Sequence, residues 1–485
     1  MRMVWVTGMA WALAAGCRSR PEPAYEYSRP QPSVTERTGA PAPSLDQPIT
    51  LESAVDLALR NYPAIRSAQA RAEAAQAGVD FAGTAYLPRL DLLWQSVRAT
   101  RNNVSAQFFP QSVVPPISGP VSPTSGRTAW GSAAGVLASW EPFDFGLRGS
   151  QVELYRAAAR QAATDVDLVR LDVSLGAAEA FLVLVAAQEA ERAARANVER
   201  WEVLAGLVKP LVDQQLRPGV DLSRAEAELA VARNQDIQAQ QAVDVGRATL
   251  LEAMGLRDGD VKVDSTPVLA LLEGAQLPQG MFAAHPLLGR QRSAIQTAEA
   301  RKAVVDSSFA PRVNLLFSAS GRGSGFGVAG EPLEPEDGLW PDRFNWAGGL
   351  SLTIPLMDYF GNEARGRQEE ALVRAERSRT DEIVLILSAQ ERKVRAVLDA
   401  AKKFAQNTPV QLKAAQEAHS RSRSRYDSGL GTLTEVAEAQ RLLAQAEIDD
   451  ALARLGVWRA FAAAARVQGD VRPLLDLLGR AKKGK

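Results

Sequence analysis

The feature that most constrains this chain is an internal repeat, found at residues 61–94 and again at residues 284–317. In both copies one proline opens a stretch with helical spacing of apolar residues, and a second proline closes it. The second proline is followed by Arg-Leu-Asp-Leu-Leu in one copy and by Arg-Val-Asn-Leu-Leu in the other. The paired prolines are equally spaced: Pro63 and Pro88, then Pro286 and Pro311. Such a repeat predicts two copies of one structural unit that share a single architecture.

Each copy predicts the same order of elements: a helix, two strands joined by a loop, a long helix, a turn and a returning helix. The first helix begins after Thr50, a favoured N-cap residue, with Glu52 in its first turn, where the helix dipole favours an acid. Ser53 stands where a capping box has Glu or Gln, so we expect no complete box. We expect Pro63 to kink this helix and Pro88 to end it.

The strand stretches have the alternation of a sheet with one apolar face. Between residues 346 and 356 Trp, Gly, Leu, Leu, Ile and Leu share one face, whereas the Gly-rich segment 321–327 is assigned to a loop. Each strand has about ten residues, the length that crosses a bilayer as a tilted barrel strand. The chain has about four such strands, too few to close a barrel. Because lipid does not tolerate open strand edges, we expect three chains to combine into twelve strands.

Two very long helical segments, about 147–216 and about 362–427, follow the strand pairs. After a short break a helix returns in each copy. At about 1.5 Å per residue a long helix would reach about 100 Å. The first helix of a copy and its returning helix together match the long helix in length. They can therefore stack end to end beside it and form a rod of constant thickness.

Five tryptophans flank the predicted strands. Aromatic rings gather at the two interfaces of a bilayer because they are amphipathic, so these residues indicate a membrane location. The alternative is that aromatic residues simply favour strands. The candidate interface residues are Trp94, Trp130, Trp140, Trp340 and Trp346.

Residues 1–16 have an early arginine, an apolar stretch and small residues, a pattern typical of a secretory signal. The pattern ends at Cys17, the single cysteine, and Leu-Ala-Ala-Gly-Cys is similar to a bacterial lipoprotein signal. Lipidation of Cys17 would anchor the protein; a plain signal with an incidental cysteine is the alternative. Residues 18–49 are rich in Pro, Ser and Arg and predict an extended linker. No later segment is long and apolar enough for a membrane-spanning helix.

The remaining boundaries follow from the repeat. We assign residues 50–257 to the first unit, 258–282 to a connection, 283–470 to the second unit and 471–485 to a basic C-terminal tail with a disordered end. Lys and Arg balance Asp and Glu at 56 each, which argues against nucleic acid as a partner. Two histidines, one cysteine and no phosphate-binding or hydrolytic motif predict no metal site, no cofactor and no enzyme.

The ordered, duplicated set of elements resembles the TolC-like outer-membrane efflux protein family over residues 50–470. The resemblance is carried by the paired proline stretches, by the strand exits Trp-Glu-Pro-Phe-Asp-Phe-Gly and Ile-Pro-Leu-Met-Asp-Tyr-Phe-Gly, and by the turn segment 426–443. It implies a mainly helical fold with a small β part. In that fold a homotrimer forms a twelve-stranded outer-membrane β-barrel, continued by a long periplasmic α-helical barrel.

The same resemblance implies a function. Members form the outer-membrane channel of a tripartite efflux or type I secretion system, and pass substrates outward from an inner-membrane transporter and a periplasmic adaptor protein. The chain would be a lipoprotein in the outer-membrane lipid of a Gram-negative bacterium, with most of its mass in the periplasm. The alternative is a lipid-anchored periplasmic coiled-coil scaffold without a channel. Alternating strands with aromatic flanks argue against that scaffold, because it needs neither.

The resemblance also implies a gate where the helices turn at the periplasmic end. Acidic residues just after the second turn ring the constriction in the family, and Glu435 and Glu438 occupy those places. Three chains would crowd six carboxylates together, which favours cations. We expect Arg217 or Arg224 to pair with an acid across the turns; the alternative is that these charges only solvate helix ends. The candidate gate residues are Glu435, Glu438, Tyr426, Asp221, Arg217 and Arg224.

The turns also carry the family's adaptor-contact surface. The small residues at 428–431 resemble the groove that receives the tip of an adaptor hairpin, and glycine permits both a tight turn and a close backbone approach. A plain turn needs glycine as well, which is the alternative. We expect the first turn to be shorter by a few residues, so the two grooves would differ. The candidate adaptor contacts are Gly429, Leu430, Gly431, Pro218 and Gly219.

Overall fold

The computed structural model describes residues 47–100, 126–270, 277, 280, 282–327, 333–334 and 336–483. The predicted signal, the lipidation site at Cys17 and the predicted linker up to residue 46 lie outside the described residues. Most of the loop between the first two strands lies outside them as well. The described part of the chain is mainly helical, with one small sheet.

The first copy of the repeat folds in the predicted order. Its elements are α1 Leu51–Asn61, α2 Pro63–Gly83, β1 Arg89–Thr100, β2 Thr128–Phe143, α3 Leu147–Asp213 and α4 Gly219–Ala253. Helix α3 has 67 residues, so at about 1.5 Å per residue it is about 100 Å long. It ends at Asp213, a little before the predicted residue 216.

The second copy repeats this order after a short helix in the connection. The elements are α5 Thr266–Leu269, α6 Pro286–Ser307, β3 Arg312–Ser324, β4 Arg343–Thr353, α7 Tyr359–Asp427 and α8 Leu433–Gln468. Helix α7 has 69 residues, so the two long helices nearly match. Two strand predictions were wrong in detail. Strand β3 continues through Ser324, into the predicted Gly-rich loop, and β4 ends before Ile354 and Leu356.

Two further predictions, both about where helices begin, differ from the structure. Thr50 and Ser53 form a complete capping box: the Ser53 N–H donates to the Thr50 side chain at 3.2 Å, and the Thr50 N–H donates to the Ser53 hydroxyl at 2.9 Å. The expectation that no box forms was wrong because a serine hydroxyl accepts this bond as a carboxylate does. Pro63 does not kink one helix but starts a second one, at the position where its missing N–H costs nothing.

The four strands form one antiparallel sheet in the order β1-β2-β3-β4, which leaves β1 and β4 as its edges. Residues paired across strands share a face, and the two faces differ in chemistry. The inner face carries small and polar residues, such as Gly135, Ser320 and Asn345. The apolar face, called the outer face below, carries Leu90, Leu92, Trp94, Val136, Trp140, Leu315, Phe317, Phe344, Trp346, Leu350 and Leu352.

The long helices join the two copies side by side. α3 packs along α4, α7 packs along α8, and α8 also contacts α3. Closer to the sheet, α6 lies between α3 and α7, and α2 lies against α3. Phe181, Trp201 and Trp458 are fully buried in this helical packing. None of the helices in the described ranges is long and apolar enough to cross a membrane.

The C-terminal segment was predicted to end as a disordered tail, and this was wrong. Residues Arg472–Lys483 form a further helix, α9. Leu474 and Leu478 of this helix are buried, and Leu478 lines a small cavity together with Phe181 of α3 and Val268 of α5. Burial of these leucines favours helix formation in a segment whose basic end suggested disorder.

Candidate functional site

The site is built on the two turns that end the long helices. The first turn comprises residues 214–218 and the second residues 428–432, so the two are equally long. The prediction that the first turn is shorter was wrong. The equal lengths support the predicted correspondence of acids and bases after the turns: Asp221 with Glu435, and Arg224 with Glu438.

The two turns share their backbone hydrogen bonds. The Leu216 N–H donates to the Leu211 carbonyl at 2.8 Å, and the Leu430 N–H donates to the Arg425 carbonyl at 2.9 Å. Both turns also contain one left-handed residue, where glycine is favoured. In the second turn it is Gly429 with φ 75°, whereas in the first it is the non-glycine Gln215 with φ 59°.

The predicted adaptor contacts divide between the turns. Gly429 and Leu430 are exposed, and a side chain at Gly431 would lie 3.2 Å from the Glu435 carboxylate. Pro218 is the N-cap of α4, and the exposed Gly219 is its first residue. Leu216, an exposed leucine that corresponds to Leu430, was not among the predicted adaptor contacts. The signal that could have found Leu216 is the equal length of the two turns, which their different residue types obscured.

The predicted acidic residues lie in the first two turns of α8. Glu435 and Glu438 are both exposed, and their spacing places them on one side of the helix. Thr432 caps this helix by accepting a hydrogen bond from the Glu435 N–H at 3.3 Å. Arg425, which was not among the predicted gate residues, has its guanidinium 3.9 Å from the Glu435 carboxylate. Glu438 has no ion-pair partner among the described residues, so it is the less compensated acid.

Arg217 in the first turn and Arg224 in α4 both reach the second hairpin, but neither reaches an acid among the described residues. Arg217 donates to the Tyr426 carbonyl at 2.7 Å, and its guanidinium lies 4.4 Å from the centre of the Tyr426 ring. Arg224 donates to the Thr434 hydroxyl at 2.9 Å. Within the described part of one chain neither arginine forms an ion pair. The expected ion pair is therefore replaced, in one protomer, by a cation–π contact and bonds to neutral oxygens.

Tyr426 belongs to a buried cluster that joins the two hairpins. Its ring packs in one cluster with Trp201, Leu204 and Leu433, which come from α3 and α8. The Tyr426 hydroxyl is buried and has no hydrogen-bond partner among the described residues. Burial, followed by the negative charge of nearby Asp221, raises the pKa of this hydroxyl. The tyrosine is therefore neutral at physiological pH and acts by packing.

A second group of polar contacts joins the hairpins above the turns. Arg200 of α3 forms a two-pronged ion pair with Glu447 of α8, at 2.8 and 3.1 Å. Buried Gln440 donates to the Asn197 side chain at 3.2 Å. These two contacts lie along the α3–α8 boundary, and the contact of Arg217 with Tyr426 joins the same two hairpins at their turns, so the hairpins are linked at several heights.

The predicted interface tryptophans lie in the sheet and its connections. Trp94 and Trp340 pack edge to face with their centroids 5.0 Å apart. The Trp140 indole N–H donates to the Tyr86 carbonyl at 3.1 Å. Trp346 is exposed, and Trp130 lies under the guanidinium of Arg98. The four tryptophans of the strands lie on the outer face, whereas Trp340 lies in the β3–β4 connection; a location of these rings at a bilayer interface stays a prediction.

The comparisons with known proteins decide the class. The family model for the outer membrane efflux protein matches residues 54–256 and 277–469, which correspond to the two copies of the repeat. This chain belongs to the outer membrane efflux protein family. It is therefore an outer-membrane channel protein for efflux or secretion and not an enzyme. The family assignment favours the channel over the scaffold without a channel.

Individual relatives agree with this family. The pyoverdine export outer membrane protein OpmQ of Pseudomonas aeruginosa is 26% identical over 409 residues, 82% of this chain and 80% of OpmQ. Protein CyaE of Bordetella pertussis is 25% identical, over 89% of this chain and 87% of CyaE. The structure of the outer-membrane channel OprN has a TM-score of 0.69 at 20% identity, and the match covers 88% of this chain and 91% of OprN. This last likeness shows a shared fold.

Proposed function

We propose that three copies of this efflux protein close into one passive channel. The observation that carries the proposal is the four-stranded sheet with two free edges and one apolar face. Unpaired strand edges are not tolerated in lipid, and four strands cannot close on themselves. Pairing of β4 in one copy with β1 in the next gives a barrel of twelve strands. The outer-face leucines and aromatics then meet lipid, and the small inner residues line a wide pore.

The helices then form the periplasmic part of the same channel. Each chain contributes four helices side by side around the axis of the channel. Their order, α4, α3, α8 and α7, is the order of their contacts. Three chains form a closed tunnel whose far end carries the two turns of each copy. An inner-membrane transporter delivers substrate there, and the turns receive a periplasmic adaptor. Exposed Leu216 and Leu430 are its apolar contacts.

Cargo is set by the transporter and the adaptor, not by this chain alone. OpmQ is named for the export of pyoverdine, whereas CyaE carries no cargo in its name. Both are similar to this chain over most of its length. Attachment to the membrane through Cys17 is part of the same proposal and stays a prediction. Replacement of Cys17 by serine would remove any attached lipid, which mass spectrometry of the purified protein detects.

Replacement of the acidic residues at the periplasmic tip tests whether they form the gate. We expect Glu435→Gln/Glu438→Gln to lower the preference of the pore for cations, by about twofold or more in the potassium-to-chloride permeability ratio. Of the two single variants, Glu438→Gln should lower the cation preference more than Glu435→Gln, because Arg425 already offsets the charge of Glu435. The measurement is the reversal potential of single channels in a planar bilayer under a KCl gradient.

A matched control removes the same charge far from the turns. Asp381→Asn/Glu382→Gln alters two exposed acids of α7 and should leave the reversal potential unchanged. Discrete channels from trimeric protein support the channel itself. Channels with the same selectivity in all variants would show that these acids do not form the gate. Trimeric protein that never conducts, even with an adaptor added, would contradict the channel.

A further inference from the structure

The inner face of the sheet carries two arginines side by side at one end of the strands. This is the end of the strands away from the long helices, where the loops that join β1 to β2 and β3 to β4 lie. Arg322 of β3 is paired in register with Arg343 of β4. The adjoining pairs, Ser320 with Asn345 and Gly321 with Phe344, fix the faces: the arginines alternate with exposed Phe344 and so lie on the inner face.

This arrangement is unfavourable for the sheet itself. Like charges directly opposite each other on neighbouring strands destabilise the pairing. Within the described ranges, neither guanidinium has a hydrogen-bond or ion-pair partner. The same row continues through Ala133 of β2 and Gln95 of β1, which are neutral. In the half of the described strands that lies away from the long helices, the inner face therefore carries positive charge and no acidic residue.

We propose that Arg322 and Arg343 form an anion-attracting ring at the outer mouth of the pore. The inference rests on the proposed trimeric channel, in which two arginines from each of three copies make six. Their charge is opposite to that of the acids at the periplasmic tip. The ligands are solutes that carry carboxylate, sulfonate or phosphate groups, which guanidinium binds through paired hydrogen bonds. The ring raises the permeability of the pore to such anions and lowers its permeability to cations.

The strength of the effect depends on the salt concentration. Fixed charges on the wall of a pore raise the local concentration of the opposite ion near that wall, and screening by salt opposes this. The Debye length is about 10 Å at 0.1 M salt and about 3 Å at 1 M. The contribution of the arginines to selectivity is therefore large in dilute KCl and small in concentrated KCl.

The test uses the full-length trimer in planar bilayers with chloride as the probe anion. We expect Arg322→Gln/Arg343→Gln to lower the chloride-to-potassium permeability ratio by about twofold or more in about 0.1 M KCl, with a smaller change near 1 M. The charge-conserving variant Arg322→Lys/Arg343→Lys should keep the wild-type ratio. If that variant also loses selectivity, attraction by charge is refuted.

A control on the same strands separates position from charge. Arg98 of β1 lies at a similar height but on the outer face, with its guanidinium over the ring of Trp130. Arg98→Gln should leave the permeability ratio unchanged. Equal selectivity in the wild type and in the Arg322→Gln/Arg343→Gln variant overturns the anion ring while the channel stands. Absence of channels in every protein, including the wild type, refutes the proposed function on which the ring depends.

Discussion

Replacement of Arg217 by alanine is expected to open the periplasmic tip. Arg217 contributes a hydrogen bond to the Tyr426 carbonyl and a cation–π contact to its ring, and both link the first turn to the end of α7. For a half-exposed guanidinium these contacts together are worth about 1–2 kcal/mol. Three copies acting together contribute about three times as much. Since 1.4 kcal/mol is about a tenfold change in an equilibrium, the open fraction should rise by a factor of 100 or more, on the order of 10²–10⁴.

The measurement is single-channel conductance and open probability of the trimer in planar bilayers. Arg217→Lys should have an intermediate effect, because lysine keeps the charge but lacks the planar group that stacks on the ring. Tyr426→Leu keeps a buried apolar side chain and removes the ring. If Arg217 acts through that ring, Arg217→Ala should add little in a Tyr426→Leu background.

The control for Arg217 removes an arginine that does not join the two copies. Arg233 of α4 pairs with Glu202 of α3 at 2.8 Å, inside the first hairpin. Arg233→Ala should leave conductance and open probability as in the wild type. If Arg217→Ala behaves like Arg233→Ala, the contact with Tyr426 is only packing and does not hold the tip closed.

The order of elements was predictable because it rests on long, regular patterns. Helices of 67 and 69 residues show their apolar spacing over many turns, and prolines mark where helices start. The paired strands alternate clearly, and their aromatic flanks agree with the observed outer face. Membership of a family could be inferred from this order, because the same order occurs twice.

The geometry of the turns was less predictable. The left-handed residue of the first turn is Gln215, whereas a sequence argument places glycine at such a position and so misplaces the turn. The partner of Arg217 was also missed. An arginine suggests an acid, but the fold brings it to the carbonyl and ring of Tyr426, which is far away in sequence. Such a contact depends on how the two hairpins pack against each other and leaves no local signal in the sequence.

The C-terminal helix α9 was also missed because its packing involves residues distant in sequence. Leu474 and Leu478 of α9 have exposed fractions of 1% and 5%. Leu478 lines a small cavity with residues distant in sequence: Leu51 at the start of α1, Phe181 in α3 and Val268 in α5. The helix also packs against α5 and α8. The helix therefore covers the place where the start of the first copy, its long helix and the connection to the second copy meet.

Removal of these two leucines is expected to destabilise the protein strongly. Leu-to-Ala changes at buried sites cost about 2–5 kcal/mol each. Two of them together approach the net stability of a typical domain, about 5–15 kcal/mol. We expect Leu474→Ala/Leu478→Ala to lower the temperature at which the trimer dissociates and to expose the connection near residues 258–285 to protease. Gel mobility after heating and timed proteolysis measure the two effects.

The matched control lies on the exposed side of the same helix. Asp476→Ala removes an exposed charge of α9 without touching its buried side, so the trimer should dissociate at the wild-type temperature. Conductance at room temperature should be nearly normal in any Leu474→Ala/Leu478→Ala protein that does assemble, because the helix lies far from both the tip and the sheet. A double variant as heat-resistant as Asp476→Ala would mean that α9 is attached to the fold but does not hold it together.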